Sequence, residues 1–311
     1  MNITISTTFM KPAILFPILI SFLLLTSCGN QKTQEVASTP DIPEKVELRN
    51  EGVFIHHQMF GKGDTTLLFV HGWCIDQTYW NQQIEALKDQ YQILAIDLVG
   101  FGKSGKNREK WSMEAYGRDI RAAIDQLKLE NVILIGHSMG GDVILEAAIE
   151  NDKVIALIGI DNFKDVGQGL DEKAQEEIGN FMTMLKGNFS VVAPAYAEQF
   201  LFHPNMDTTL REQLKSDFAS SDSVSAIGSL EALFSYAEKE AKQLTRLKQK
   251  LYLINSTAIP ANWEGLIKSG ASYEVFDIDG TGHYPMLEKP QVFNKLLEQA
   301  LQKISTQHSE E

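Results

Sequence analysis

Residues 131–142 read N-V-I-L-I-G-H-S-M-G-G-D, and the fold follows from how that stretch has to lie. Val132, Ile133, Leu134 and Ile135 are consecutive apolar residues, most of them β-branched, which is the pattern of a short strand buried on both faces. Gly136 ends it. From Met139 the apolar spacing becomes helical through Val143, Ile144, Ala147 and Ala148, so strand, tight turn and helix follow within a few residues, with Ser138 at the turn. In the spacing G-x-S-x-G, Gly136 and Gly140 remove the Cβ atoms that would clash in so sharp a turn. The serine is then held in a strained conformation with its Oγ exposed, as a nucleophile elbow requires. Gly141 lets the helix pack close to the neighbouring strand. A serine hydroxyl is a poor nucleophile at neutral pH, so such a turn is useful only with a histidine to take its proton and donors to hold an oxyanion.

Working outward, residues 66–70 and 92–97 read as buried strands, and residues 154–160 as another. Residues 113–127 carry helical spacing through Tyr116, Ile120, Ala123, Ile124 and Leu127 and feed the serine's strand. Residues 53–59 read as a first strand; the adjacent His56 and His57 face opposite sides of a sheet there and cannot share one metal or substrate. Residues 250–254 and 273–278 read as the last strands, and residues 291–301 as a closing helix. This alternation specifies an α/β chain with a mostly parallel, doubly wound sheet whose site lies at the carboxyl edge. Residues 165–246 have helical spacing and no convincing strand, which predicts an inserted helical cap over a covered, largely apolar pocket. The core is then residues 51–164 and 247–305.

Three further motifs accompany the elbow G-H-S-M-G-G at 136–141: V-H-G-W at 70–73, D-L-V-G-F-G-K-S at 97–104 and G-T-G-H-Y-P at 280–285. Together, in chain order, they resemble the α/β-hydrolase fold family, over residues 52 to about 300. The resemblance implies His283 as the catalytic histidine and the backbone N–H groups of Trp73 and Met139 as the oxyanion donors, with the Trp73 side chain in the pocket wall. It also implies that the 97–104 loop is structural. A phosphate-loop reading of G-F-G-K-S would need glycine at 97, and the chain has Asp97.

One station is missing. The family usually places its acid just after the strand at 250–254, where this chain has I-N-S-T-A-I-P, with Thr257 in the aspartate's place. An acid that orients the histidine can come from any buried carboxylate that reaches Nδ1. Some members, including haloalkane dehalogenases, carry it after the strand that corresponds to 154–160. Asp161 stands there, so the expected triad is Ser138, His283 and Asp161, with Glu264, Asp165 or a dyad without an acid as alternatives.

The first 27 residues read as a signal peptide: Lys11, an apolar run over residues 13–25 that is short for a membrane span, then L-T-S-C, which resembles a bacterial lipobox ending at Cys28. A lipid on Cys28 would anchor the chain in the cell envelope without spanning the membrane. Residues 28–50 read as a polar tether. Cys28 and Cys74 are the only cysteines, so a lipidated Cys28 leaves Cys74 without a disulfide partner, and Cys74 is expected as a small packed residue. Among 311 residues, 43% apolar composition is ample for a large core, and a formal charge of −13 argues against nucleic acid as partner. Removing residues 1–27, whose one charged side chain is Lys11, takes that charge to −14.

These residues predict a serine hydrolase acting on a small ester-like substrate, with no cofactor and no metal. Carbon–carbon bond, thioester or amide cleavage and acyl transfer share the same parts. A serine at the elbow, where aspartate would be needed, disfavours dehalogenase and epoxide hydrolase chemistry. The missing acid at 257 motivates the rival reading, a non-catalytic binding or sensor protein on the same scaffold. The sequence carries no signal for the oligomeric state.

Overall fold

A computed structural model describes residues 46–169 and 171–308 of the chain. Nine strands and eleven α-helices occur among them. The strands are β1 (Leu48–Asn50), β2 (Val53–Ile55), β3 (His57–Phe60), β4 (Thr66–Val70), β5 (Gln92–Ile96), β6 (Val132–His137), β7 (Val154–Ile160), β8 (Leu251–Ser256) and β9 (Tyr273–Ile278). The helices that matter here are α1 (Asn81–Leu87), α2 (Met113–Gln126) and α3 (Met139–Ala148), then α4 (Glu172–Gly187), α5 (Phe189–Phe200), α6 (Thr208–Ser220), α7 (Ser223–Phe234) and α8 (Ala237–Leu244). After β8 come α9 (Glu264–Ser269), α10 (Pro285–Glu288) and α11 (Pro290–His308).

Seven strands form one sheet in the order β3-β5-β4-β6-β7-β8-β9, parallel throughout except for the antiparallel edge strand β3. Strand β6 lies at its centre, with Gly136 opposite Val70 on one side and Gly159 on the other. All of β4 and β6 is buried, as two helical layers require. Signal peptide, Cys28 and most of the tether lie outside the described residues.

Two local expectations change. The single strand over residues 53–59 is two strands in two sheets: β2 pairs with β1, and β3 pairs with β5. The chain switches at His56, whose N–H donates to Ser104 Oγ at 2.8 Å and whose carbonyl accepts from Asp97 N–H at 2.9 Å. The last residues of the expected tether are ordered as β1, because Leu48 is fully buried and Asn50 donates to Asp119 at 2.8 Å.

The loop after β5 spends its polar groups internally. The Asp97 carboxylate accepts from Gln77 N–H and Lys103 N–H, both at 2.9 Å, so those amides are not free to cradle a phosphate. Between β7 and β8 the described chain is helical, and three of the five helices there begin on an aspartate. Asp171, Asp207 and Asp222 accept from the N–H groups of Ala174, Leu210 and Ser225 at 2.7, 3.0 and 2.9 Å. Leu185, Ala193, Ala197, Leu214, Phe218 and Ala226 give these helices a core of their own.

At the elbow the backbone approaches itself too closely for side chains. A Cβ on Gly136 would stand 2.3 Å from the Gly140 carbonyl oxygen, and one on Gly140 would stand 2.7 Å from the carbonyl oxygens of Val70 and His71. Gly141 faces the Asn162 side chain just beyond β7, where a Cβ would fall 1.7 Å from Nδ2. Gly141→Ala should therefore destabilise the protein by about 1–3 kcal/mol. Gly179→Ala on α4, where a Cβ meets nothing within 4 Å, should be neutral or slightly stabilising. Thermal unfolding of both variants checks the contrast, and equal melting temperatures would contradict the close approach.

Candidate active site

Ser138 lies between β6 and α3 with φ 52° and ψ −124°, a left-handed conformation that a non-glycine residue adopts at a cost of about 1–3 kcal/mol. Several hydrogen bonds hold it there. Its N–H donates to the Ile160 carbonyl at 3.0 Å, and its own carbonyl accepts from Gly141 N–H at 2.7 Å and from Asn162 Nδ2 at 2.5 Å. Met139 is the first residue of α3, so its N–H is among those without an intrahelical partner.

Asp161 immediately follows β7 and is itself left-handed, with φ 48°. Its N–H donates to the Ile254 carbonyl at 3.1 Å, and the turn sends its carboxylate toward the loop after β9. There Oδ2 lies 2.6 Å from Nδ1 of His283, while the two side chains are 4% and 15% exposed. That distance puts a proton on Nδ1 and leaves Nε2 as the basic nitrogen. The other oxygen, Oδ1, accepts from Ser256 N–H at 3.0 Å and lies 2.6 Å from Lys164 Nζ. Burial alone would raise the Asp161 carboxyl, but the His283 hydrogen bond and charge, with Lys164, hold it well below the usual carboxylate range.

The alternatives for the acid pair elsewhere. Glu264 is exposed and joined to Lys268 at 2.6 Å, and Asp165 is exposed beside Gln168. Thr257, where the family places its acid, donates to Asp279 at 2.6 Å on the surface.

The histidine loop is fixed from both sides. Glu288 Oε1 accepts from Gly282 N–H at 2.9 Å and Tyr284 N–H at 3.2 Å, and His283 N–H donates to the Leu201 carbonyl at 2.8 Å. The last bond joins it to the end of α5. The His283 carbonyl accepts from His137 Nε2 at 2.7 Å, so the residue before Ser138 also holds the loop.

The loop with Trp73 lies against the elbow, since a Cβ on Gly72 would stand 2.7 Å from His137 Nδ1. The Trp73 indole N–H donates to the Ala226 carbonyl at 2.8 Å, and its ring packs edge-on against Phe189, Tyr196 and Phe218. The side chain is thus a tie between sheet loop and helical insertion. Cys74 beside it is buried, and burial raises its thiol well above the ordinary range, which suits packing and not nucleophilic chemistry.

Asp161 and His283 line a cavity of about 440 Å³ with Tyr196, Phe200, Leu201 and Glu240. Burial and the Asp165 charge raise the Glu240 carboxyl although Asp142 hydrogen-bonds to it, and burial with Glu240 raises Asp142. A larger cavity of about 740 Å³, lined by Tyr79, His203, Met206 and Leu210, contains neither His283 nor Asp161. Among the described residues no cluster of three His, Cys, Asp or Glu could hold a metal ion. Asn162, Lys164, Glu240 and Glu288 carried no role in the sequence reading. Lys164 could have been suspected from its spacing of three from Asp161.

His137 is buried, and burial with the neighbouring His283 pushes it down to about 3 from an ordinary 6.5. The unfolded chain therefore takes a proton there across that window while the folded chain does not, so stability falls as pH falls, by up to ~1.4 kcal/mol per pH unit. Buried His71, also lowered, adds a slope of the same sign. His137→Gln should flatten part of the fall in melting temperature below neutral pH; a slope equal to the wild type would contradict a neutral His137.

Against known proteins, residues 65–290 match the family described as alpha/beta hydrolase fold. The dihydrolipoyllysine-residue acetyltransferase component of the acetoin cleaving system from Cupriavidus necator is 24% identical over 266 residues, covering 81% of this chain and 67% of that protein. Mouse epoxide hydrolase 4 is 27% identical over 121 residues, 38% of this chain and 34% of its own. A thermophilic esterase from Thermogutta terrifontis superposes with a TM-score of 0.72 at 21% identity, covering 83% of this chain and 98% of that one.

Proposed function

This chain belongs to the α/β-hydrolase family, and we propose that it is a serine hydrolase that cleaves a small ester-like substrate through an acyl-enzyme on Ser138. The Ser138 Oγ attacks the ester carbonyl while His283 Nε2 takes its proton, and the N–H groups of Trp73 and Met139 receive the developing oxyanion. As the tetrahedral species collapses, His283 returns that proton to the leaving alcohol. Water then attacks the acyl-enzyme by the same route and regenerates the serine. Asp161 holds the imidazole in the tautomer with its proton on Nδ1 and stabilises the imidazolium.

The observation that supports this most is the 2.6 Å contact between Asp161 Oδ2 and His283 Nδ1. It supports Asp161 as the acid despite Thr257 and weighs against a non-catalytic sensor. The cavity of about 440 Å³ that His283 and Asp161 line, with Tyr196, Phe200 and Leu201 beside Lys164, Asp165 and Glu240, has room for a small substrate of mixed polarity on the histidine's side of the site. The first 28 residues favour an envelope location, with a lipid on Cys28 holding the domain near a membrane surface.

Hydrolysis of short and long p-nitrophenyl esters by residues 29–311 tests the assignment. Ser138→Ala should abolish turnover, Asp161→Asn should lower kcat by about 10⁴-fold, and Glu264→Gln should leave it unchanged. Equal turnover in wild type and Ser138→Ala, or an Asp161→Asn enzyme as fast as the wild type, would overturn it.

A further inference from the structure

Asp161 has two side-chain partners, and only one of them is the histidine. Lys164 Nζ lies 2.6 Å from Asp161 Oδ1 and also donates to the Ser256 carbonyl at 2.8 Å and the Ile259 carbonyl at 3.4 Å. An ammonium has three protons, and these are three acceptors. The group has no donor left for a substrate, although Lys164 borders the same cavity as His283. Its side chain is 10% exposed and that of Asp161 4%, so solvent screens the pair weakly.

The backbone is bent to bring the two together. Asp161 and Phe163 are both left-handed, with φ 48° and 56°. The bend is pinned by Asn255, which exchanges two side-chain bonds with the Asn162 backbone at 3.0 and 3.1 Å, and by Asn262 N–H, which donates to the Lys164 carbonyl at 2.7 Å.

We infer that Lys164 is a positioning residue that acts through Asp161, clamping one carboxylate oxygen so that the other meets His283 Nδ1 while withdrawing part of the negative charge that would otherwise favour the imidazolium. The assignment rests on the serine-hydrolase reading above. A full, uncompensated carboxylate would hold the proton on His283 and remove the base at mildly acid pH; a carboxylate shared with a buried ammonium orients the ring as well and releases it as a base to lower pH. The other titratable groups facing this pair are His137 at the end of β6, Tyr196 on α5, Glu240 on α8, Asp165, Tyr284, and Glu288 on α10. All of them are unchanged by substitution at 164, so a shift on substitution reports the ammonium.

The test is kcat/KM for a p-nitrophenyl ester against pH in the wild type, Lys164→Arg, Lys164→Gln and Lys164→Met, with melting temperatures to establish folding. In the neutral variants the acid limb should move to higher pH by about one unit or more, while the alkaline plateau falls far less than in Asp161→Asn. Lys164→Arg should keep the wild-type limb. Lys164→Met, which keeps most of the stem, carries the comparison if Lys164→Gln does not fold. An acid limb in the neutral variants that superimposes on the wild type, or an equal shift in Lys164→Arg, would overturn the assignment and leave the serine hydrolase standing. Wild-type and Ser138→Ala proteins that are equally inactive would overturn both.

Discussion

A buried carboxylate has to reach Nδ1 of His283, and the rest of the site is arranged around where that carboxylate is rooted. Here it is rooted at the end of β7, the strand paired directly with the serine's own strand, where His137 stands opposite Ile160. That root is one strand nearer the nucleophile than Thr257 and one strand farther from β9, after which His283 comes. Asp161 is left-handed there, and Ser256 N–H and Lys164 hold the oxygen that the histidine does not use. Serine and acid thus follow one register pair, His137 and Ile160, both with positive φ; Ser138 N–H is held by the Ile160 carbonyl of β7 and Asp161 N–H by the Ile254 carbonyl of β8.

The same logic extends into the helical insertion. His283 N–H is bound by the Leu201 carbonyl, and a Cβ on Gly282 would stand 2.5 Å from His203 N. Trp73, whose backbone is assigned to the oxyanion, ties its indole to Ala226. Both loops are therefore bonded to the insertion as well as to the sheet.

How much of this was legible in the sequence depends on the range over which each feature is encoded. The elbow is encoded within a dozen residues, because the change from strand to helical periodicity and the three glycines all follow from one local geometry. The sheet follows in the same way from buried β-branched runs. Asp161 could be named only through the resemblance to family members that carry the acid after this strand, since a carboxylate after a strand is common and its partner lies 122 residues away. Lys164 had only its spacing of three from Asp161 to suggest it, and the positive φ at Phe163 between them has no sign in the sequence, since a phenylalanine gives none. Strand β1 was hidden for a different reason: it is three residues long, in a polar segment, and only Leu48 in it is fully buried.

The central claim is that a single activated serine does the chemistry, and the most direct measurement is the intact mass of the protein after incubation with a fluorophosphonate, followed by peptide mapping. The account predicts one adduct per chain, on the peptide that carries Ser138. No adduct, or an adduct on another residue with Ser138 unmodified, would contradict it.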